Sequence, residues 1–219
     1  MQSTKEQILT FLKRTGGGTI DEIARGFSLA RMTVRQHLAS LERDGLVNSR
    51  EERRRTGRPH LLYTLSESGQ EKFPKRYDRL ADLALQEVAL LDSEEIAGLT
   101  PEDKKRLLLR KMADRVFLQH ESKVRGKGLG ARVVAVADIL REEGGFAEWA
   151  EHGETYEIVD YNCVYRRVAD SHLDVCDWHV QLLGRLLDKQ VECSEFMSRG
   201  ADWCRFTVRE EDAPAQPAG

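Results

Sequence analysis

The sequence predicts an α+β protein with an N-terminal winged helix-turn-helix, a helical connector, and a C-terminal small antiparallel sheet with helices. Two observations carry this prediction. Three amphipathic helices followed by two strands are expected at the N-terminus, and all four cysteines of the 219-residue chain lie in its last 57 residues. We expect a winged helix-turn-helix domain at residues 1–68 and a connector or dimerisation helix at residues 69–98. An α+β sensor domain should follow at residues 99–209, and a disordered tail at residues 210–219.

Charge is unevenly divided along the chain. Residues 1–80 contain 16 Lys and Arg against 10 Asp and Glu, whereas the remainder contains 18 against 27. A basic first part joined to an acidic second part is typical of a nucleic-acid-binding module attached to a sensing or assembly module. No apolar run approaches the roughly 20 residues of a membrane helix, and the start has no signal-peptide pattern. We therefore expect a cytoplasmic protein with no membrane partner.

Residues 3–45 are expected to form three helices. Ser3 and Thr19 are suited to cap the first two, and the third spans residues 30–44 with apolar side chains at i, i+4 and i+7 facing inward. The opposite face of this third helix offers side chains that can hydrogen-bond bases and phosphates, namely Arg31, Thr33, Arg35 and Gln36. The pattern predicts the recognition helix of a helix-turn-helix that binds double-stranded DNA.

A hairpin is expected after the third helix. Two short stretches, residues 46–50 and 61–65, should pair as strands. The loop between them suits phosphate contacts or insertion into a narrow minor groove, because it contains Arg53, Arg54, Arg55 and Arg58. The alternative is an ordinary charged surface on a three-helix bundle; the order of helix and wing favours DNA contact.

These motifs resemble a known family. Four segments of this chain look like parts of the winged-helix domain of SufR-type repressors and related DeoR/ArsR-like bacterial regulators. They are residues 33–38, 41–47, 56–59 and 63–66. The resemblance covers about residues 1–80. It implies a DNA-binding regulator and not an enzyme.

A helical stripe marks the connector, from about Glu67 to Leu91. Its apolar residues recur every three or four positions at Phe73, Tyr77, Leu80, Ala84, Val88 and Leu91. We expect Pro74 to begin or kink this helix. The stripe fits either the core of one subunit or a dimer seam, and a homodimer is the natural partner of a two-fold operator.

The C-terminal part should contain helices and two hairpins. The expected helices are residues 100–120, 131–142 and 174–187. The expected hairpins are residues 146–161 and 190–208. Together they predict a small antiparallel sheet with helices against it.

The four cysteines are expected to converge. Cys163 follows the first hairpin, and Cys176 lies in the first turn of a helix, where the helix dipole favours the thiolate. If Glu195 lies opposite Cys204, then Cys193 and Cys204 share one face of the second hairpin. Clustered thiols in a reducing compartment favour metal or redox chemistry. The absence of a Cys-x2-Cys pair argues against zinc, whereas long spacings are compatible with an iron–sulfur cluster.

The spacing of these cysteines also resembles the C-terminal domain of SufR-type regulators. That resemblance implies a [4Fe-4S] cluster in a dimer that represses genes for iron–sulfur cluster assembly. It makes Cys163, Cys176 and Cys204 the expected ligands. Cys193 is the candidate for the fourth ligand, with Asp170 and His172 as alternatives.

The expected function is a homodimeric repressor whose binding to a palindromic operator is controlled by the cluster, in response to iron or oxidative state. Two alternatives remain. One is a regulator that senses zinc or thiol oxidation at the same cysteines. The other is an iron–sulfur electron-transfer enzyme, for which the sequence offers no recognisable substrate or cofactor motif.

Overall fold

The computed structural model describes residues 3–52 and 60–210, and it divides the chain into two compact units. The first unit is Met1–Pro74 and the second is Lys75–Gly219. The segment that the sequence assigns to the connector, residues 69–98, is shared between them. No helix of the described residues is long and apolar enough to cross a membrane.

The first unit has the order of elements expected of a winged helix-turn-helix. Its helices are α1 (Thr4–Thr15), α2 (Ile20–Phe27), α3 (Arg31–Arg43) and the short α4 (Glu67–Gln70). Its antiparallel strands are β1 (Val47–Glu52) and β2 (His60–Leu65). Capping boxes at Ser3 and Thr19 begin α1 and α2, as predicted. The fully buried core includes Ile8, Leu12, Ile23, Leu38 and Leu41.

The second unit places helices against a four-stranded antiparallel sheet. Its helices are α5 (Tyr77–Val88), α6 (Ser93–Ile96), α7 (Pro101–Val124), α8 (Leu129–Glu142), α9 (Arg166–Ser171) and α10 (Asp174–Leu187). Its strands are β3 (Ala147–His152), β4 (Thr155–Asp160), β5 (Val191–Glu195) and β6 (Cys204–Arg209). They are ordered β3-β4-β6-β5. Helix α8 packs on β3 and β4, and α10 packs on α7 and β5, so the predicted α+β class is confirmed.

The helical connector predicted from about Glu67 to Leu91 is interrupted around Pro74, the residue expected to begin or kink it. Helices α4 and α5 are separate, and the chain around Pro74 between them is not helical, because proline removes a backbone donor and clashes within a helix. Phe73 is buried in the first unit, whereas Leu80 and Leu83 belong to the core of the second. Val88 is 51% exposed. The apolar stripe therefore does not form one continuous seam.

The predicted register of the last hairpin holds at Cys193 but is shifted by one residue at Glu195. Glu195 lies opposite Arg205, not Cys204, and an irregularity separates the pairs made by Cys193 and Glu195. A bulge of this kind inserts an extra residue into one strand. Cys193 lies opposite Phe206, which is two residues after Cys204. Cys193 and Cys204 thus remain diagonal neighbours on one face, since side chains alternate along a strand.

Candidate DNA-binding surface and cysteine site

Helix α3 separates a buried side from an exposed side. Val34 and Leu38 are fully buried, and the predicted DNA-contacting residues lie on the other side. Three of them, Arg31, Arg35 and Gln36, are exposed, and Thr33 is half-buried. Met32, which sequence reasoning missed, is 62% exposed on the same helix; an apolar side chain there can contact a thymine methyl group.

The start of α3 differs from the starts of α1 and α2. Its N-cap residue Ala30 makes no side-chain hydrogen bond, and its first turn has no acidic residue. Such a helix start can donate backbone N–H groups to a phosphate. Arg31 forms an exposed ion pair with Asp21 at 2.7 Å, a contact that costs little to exchange for DNA. The wing arginines Arg53, Arg54, Arg55 and Arg58 lie outside the described residues.

Arg35→Ala is expected to weaken DNA binding by about 1–3 kcal/mol, because Arg35 lies exposed on the base-reading half of α3. The slope of log affinity against log salt should fall by about one if Arg35 contacts a phosphate. Fluorescence anisotropy with a labelled duplex at several salt concentrations measures both. The matched control is Arg43→Ala, at the other end of α3, which should leave affinity nearly unchanged; an equal loss in both variants would contradict the assigned face.

The four cysteines come from four separate segments and converge on one region of the second unit. Cys163 lies in the loop after β4, Cys176 in the first turn of α10, Cys193 on β5 and Cys204 at the start of β6. The charge of Cys176 acts on the ionisation of Cys163 and of Cys193. The charges of Cys163 and Cys193 act on the ionisation of Cys204. Three of them, Cys163, Cys176 and Cys204, line one cavity of about 30 Å³.

The turn between β5 and β6 contacts two of these thiols. It contains a 3-10 helix, Met197–Arg199. The backbone N–H of Met197 donates to Sγ of Cys204 at 3.5 Å, and Oγ of Ser198 is hydrogen-bonded to Sγ of Cys176 at 3.1 Å. Nothing in the sequence pattern singled out Ser198, because its distance from Cys176 depends on how the hairpin packs beside α10.

Burial raises the pKa of every cysteine thiol at the site. The pKa of Cys163 and that of Cys193 each rise to about 11, and the pKa values of Cys176 and Cys204 are also raised, chiefly by burial. Burial therefore opposes the predicted effect of the helix start on the Cys176 thiolate. The hydrogen bond from Ser198 opposes burial but does not overcome it. Metal binding must release these protons.

The alternative fourth ligands are exposed. Asp170 accepts hydrogen bonds from Nε of Arg166 to both carboxylate oxygens, at 2.8 and 2.9 Å, although it is close enough to act on the charge of Cys176. His172 ends α9 with an exposed side chain. For Asp170 to bind metal, it would have to leave Arg166, whereas Cys193 would give up the hydrogen bond from its Sγ to the carbonyl oxygen of Glu195 at 3.3 Å.

The donor set consists of four thiols, the ligand type that holds iron–sulfur clusters. In the described part of the chain, no three His, Cys, Asp or Glu side chains are grouped closely enough to hold one metal ion. A [4Fe-4S] cluster carries one thiolate on each of four irons, so its ligands stand farther apart than those of one zinc. The four thiols come from separate elements, and each has at least one other thiol near enough to influence its ionisation.

Buried polar residues fix the loop that carries Cys163. Asp160 accepts a hydrogen bond from the backbone N–H of Phe146 at 2.8 Å and one from the backbone N–H of Asn162 at 3.1 Å. The side-chain amide of Asn162, a fully buried residue, donates to the carbonyl oxygen of Gly144 at 2.8 Å. These bonds hold the chain on the N-terminal side of Cys163 in one conformation.

The same loop is bonded to the first residues of the second unit. Lys75 donates to the side-chain oxygen of Asn162 at 3.3 Å, and the backbone N–H of Arg76 donates to the carbonyl oxygen of Val164 at 2.9 Å. The backbone N–H of Arg167 donates to the Tyr77 hydroxyl at 3.4 Å. We call residues 75–77 the junction, because they follow Pro74, the last residue of the first unit.

Comparison with known proteins identifies the N-terminal part. Residues 1–48 match a family model described as winged helix-turn-helix DNA-binding. A probable transcriptional regulator from Pseudomonas aeruginosa has 22% identity over 53% of this chain and 78% of its own, with a TM-score of 0.28. Bacillus subtilis PadR in complex with operator DNA has 16% identity over 64% of this chain and 90% of its own, with a TM-score of 0.29.

No curated protein matches the sequence. The family match and the exposed face of α3 agree on the role of the first unit. Residues 1–48 form a winged helix-turn-helix DNA-binding domain.

Proposed function

We propose that this regulator is a homodimeric repressor whose operator binding is controlled by a [4Fe-4S] cluster. Cys163, Cys176 and Cys204 would hold the cluster, with Cys193 as the fourth ligand. The observation that carries the proposal is the convergence of four thiols from four segments on one partly buried site. The homodimer is expected because operators read by winged-helix regulators are commonly two-fold. The resemblance to SufR-type repressors suggests genes of cluster assembly as targets.

When bound, the cluster would supply iron–thiolate bonds that tie the loop after β4, the start of α10 and the β5–β6 hairpin together. Hydrogen bonds of the chain would transmit this ordering from the cysteine loop to the junction. Val164 and Arg167, which flank the cysteine loop, bond to the junction through Arg76 and Tyr77. The junction continues directly into the winged-helix unit. Cluster binding and DNA binding are then coupled through the junction, because both favour the same conformation of it.

The double variant Lys75→Met/Tyr77→Phe is expected to uncouple the two sites, because it removes two side-chain hydrogen bonds between the junction and the cysteine loop. Iron and sulfide content should stay at the wild-type level. The ratio of DNA affinities with and without cluster should shrink by about 0.5–2 kcal/mol. Anisotropy titrations of loaded and stripped protein measure that ratio. Lys72→Met, an exposed neighbour, is the control, and an unchanged ratio in the double variant would remove the junction from the mechanism.

The cluster itself is tested by purification without oxygen. Brown protein with equal amounts of iron and acid-labile sulfide, near four of each per chain as a [4Fe-4S] cluster requires, supports the proposal. Colourless protein with one zinc per chain would replace it with the zinc-sensing alternative. Protein with neither metal but a reversible disulfide would favour the thiol sensor.

A further inference from the structure

A larger cavity in the second unit adjoins the cysteine site but has a distinct polar part. Its volume is about 60 Å³. Cys163 and Cys204 contribute to its lining, together with His120 of α7, Glu143 just after α8, and Trp178 of α10. Most of the remaining lining is aliphatic or aromatic. This composition, apolar walls with a few polar groups, is typical of small-molecule sites.

Three of these lining side chains have buried atoms without a partner. Both ring nitrogens of His120, Oε2 of Glu143 and Nε1 of Trp178 make no hydrogen bond within the described residues. His120 is 9% exposed and Trp178 is 2% exposed. Buried polar groups are nearly always satisfied, because leaving them unpaired is costly. Three such side chains around one cavity indicate that a bound molecule supplies their partners.

The charges around the cavity favour an uncharged occupant. Glu143 forms an ion pair with Arg79 through its other carboxylate oxygen, so its charge is already neutralised. Burial lowers the pKa of His120, which favours the neutral ring with one donor and one acceptor nitrogen. Arg79 and Asp160 also line the cavity, but Arg79 is paired with Glu143 and Asp160 accepts hydrogen bonds from two backbone N–H groups. A buried ion would have to compete for charges that are already engaged, which is unfavourable.

The unpaired atoms also define the functional group. Trp178 can only donate, the Glu143 carboxylate can only accept, and neutral His120 does one of each. A hydroxyl group both donates and accepts, so it can serve two of these partners at once. A volume of about 60 Å³ corresponds to roughly four to six water-sized positions, which limits the molecule to about that many non-hydrogen atoms.

We propose that this cavity binds a small uncharged molecule with an apolar body and a hydroxyl group, of the size of a four-carbon alcohol. The site would give the regulator a second input next to the cysteines. A bound molecule would affect the cysteine site, because Cys163 and Cys204 line the same cavity.

The test uses the full chain and the indole N–H signals of its three tryptophans in nitrogen-15 NMR spectra, with the Trp178 signal assigned from Trp178→Phe. Titration with 1-butanol should shift the Trp178 signal along a saturable curve. Butanone, which has the same number of non-hydrogen atoms but only accepts, should bind more weakly, and butylammonium should not bind. His120→Leu should weaken 1-butanol binding by about tenfold.

The matched control is His152→Leu, which changes an exposed histidine at the end of β3 and should leave 1-butanol binding unchanged. Unaltered signals of Trp149 and Trp203 in each variant verify that the unit is folded. The proposal would be overturned if the Trp178 signal did not shift, if the shift rose linearly without saturation, or if the shift were the same in His120→Leu. The cavity would then contain water only. Equal binding of butanone would overturn the hydroxyl assignment. Iron content plays no part in the readout, so this result and the cluster proposal fail separately.

Discussion

Cys204→Ser is expected to abolish most of the iron and sulfide bound by protein purified without oxygen. Cys204 lies within electrostatic range of Cys163 and Cys193 and lines the cavity shared with Cys176, so its loss removes a central donor. Operator affinity should fall by on the order of tenfold and no longer respond to iron loading. Chemical determination of iron and sulfide per chain, followed by anisotropy titration with DNA, measures both effects.

Substitution of Cys193 separates the possible fourth ligands. Cys193→Ser should lower iron and sulfide content or make the cluster more labile, whereas Ser194→Ala, at an exposed neighbour on β5, should do neither. Wild-type content in Cys193→Ser would dismiss Cys193 as an essential ligand and direct attention to Asp170, whose carboxylate would have to leave Arg166. Full content in Cys204→Ser would instead remove the cluster from this site.

Gly69→Ala is expected to destabilise the winged-helix unit by about 3 kcal/mol, at the upper end of the usual cost of overpacking. A Cβ atom at Gly69 would overlap the carbonyl oxygen of Leu46. That oxygen already accepts a hydrogen bond from the backbone N–H of Ser66 at 3.0 Å, so it cannot move without losing the bond. Urea denaturation measures the loss of stability, and DNA affinity should fall with the folded fraction.

Gly26→Ala is the matched control for this substitution. Gly26 lies within α2, and its added Cβ would make only ordinary contacts with the ring of Phe11. Alanine is favoured over glycine inside a helix by about 1 kcal/mol, so Gly26→Ala should be neutral or slightly stabilising. A Gly69→Ala protein as stable as Gly26→Ala would contradict the close packing of α4 against the chain before β1.

Local signals explain what the sequence predicted correctly. The capping residues Ser3 and Thr19 and the apolar periodicity of α3 act within a few residues of themselves, so the winged-helix elements follow from short-range chemistry. The connector shows the limit of such local signals. Its apolar residues share one periodic pattern, but Phe73 is buried in one unit and Leu80 in the other. Periodicity indicates which side is buried without indicating what covers it.

The cysteine site was predictable in outline but not in detail. Placing Cys163 on a loop and Cys176 at a helix start required only local patterns. The bulge beside Cys193, the hydrogen bond to Ser198 and the raised pKa of Cys176 all depend on how α10 and the last hairpin pack together. Burial is the largest cause of the raised pKa of Cys176, and burial is a property of the tertiary structure.

Cluster-controlled DNA binding is tested most directly by measuring the DNA affinity of one protein sample before and after its iron and sulfide are removed without oxygen. The duplex is one selected from a random pool by the loaded protein. A cluster-controlled repressor should bind this duplex on the order of tenfold or more tightly when loaded, and should regain that affinity on reconstitution. Equal affinity in the two states would contradict control of DNA binding by the cysteine site.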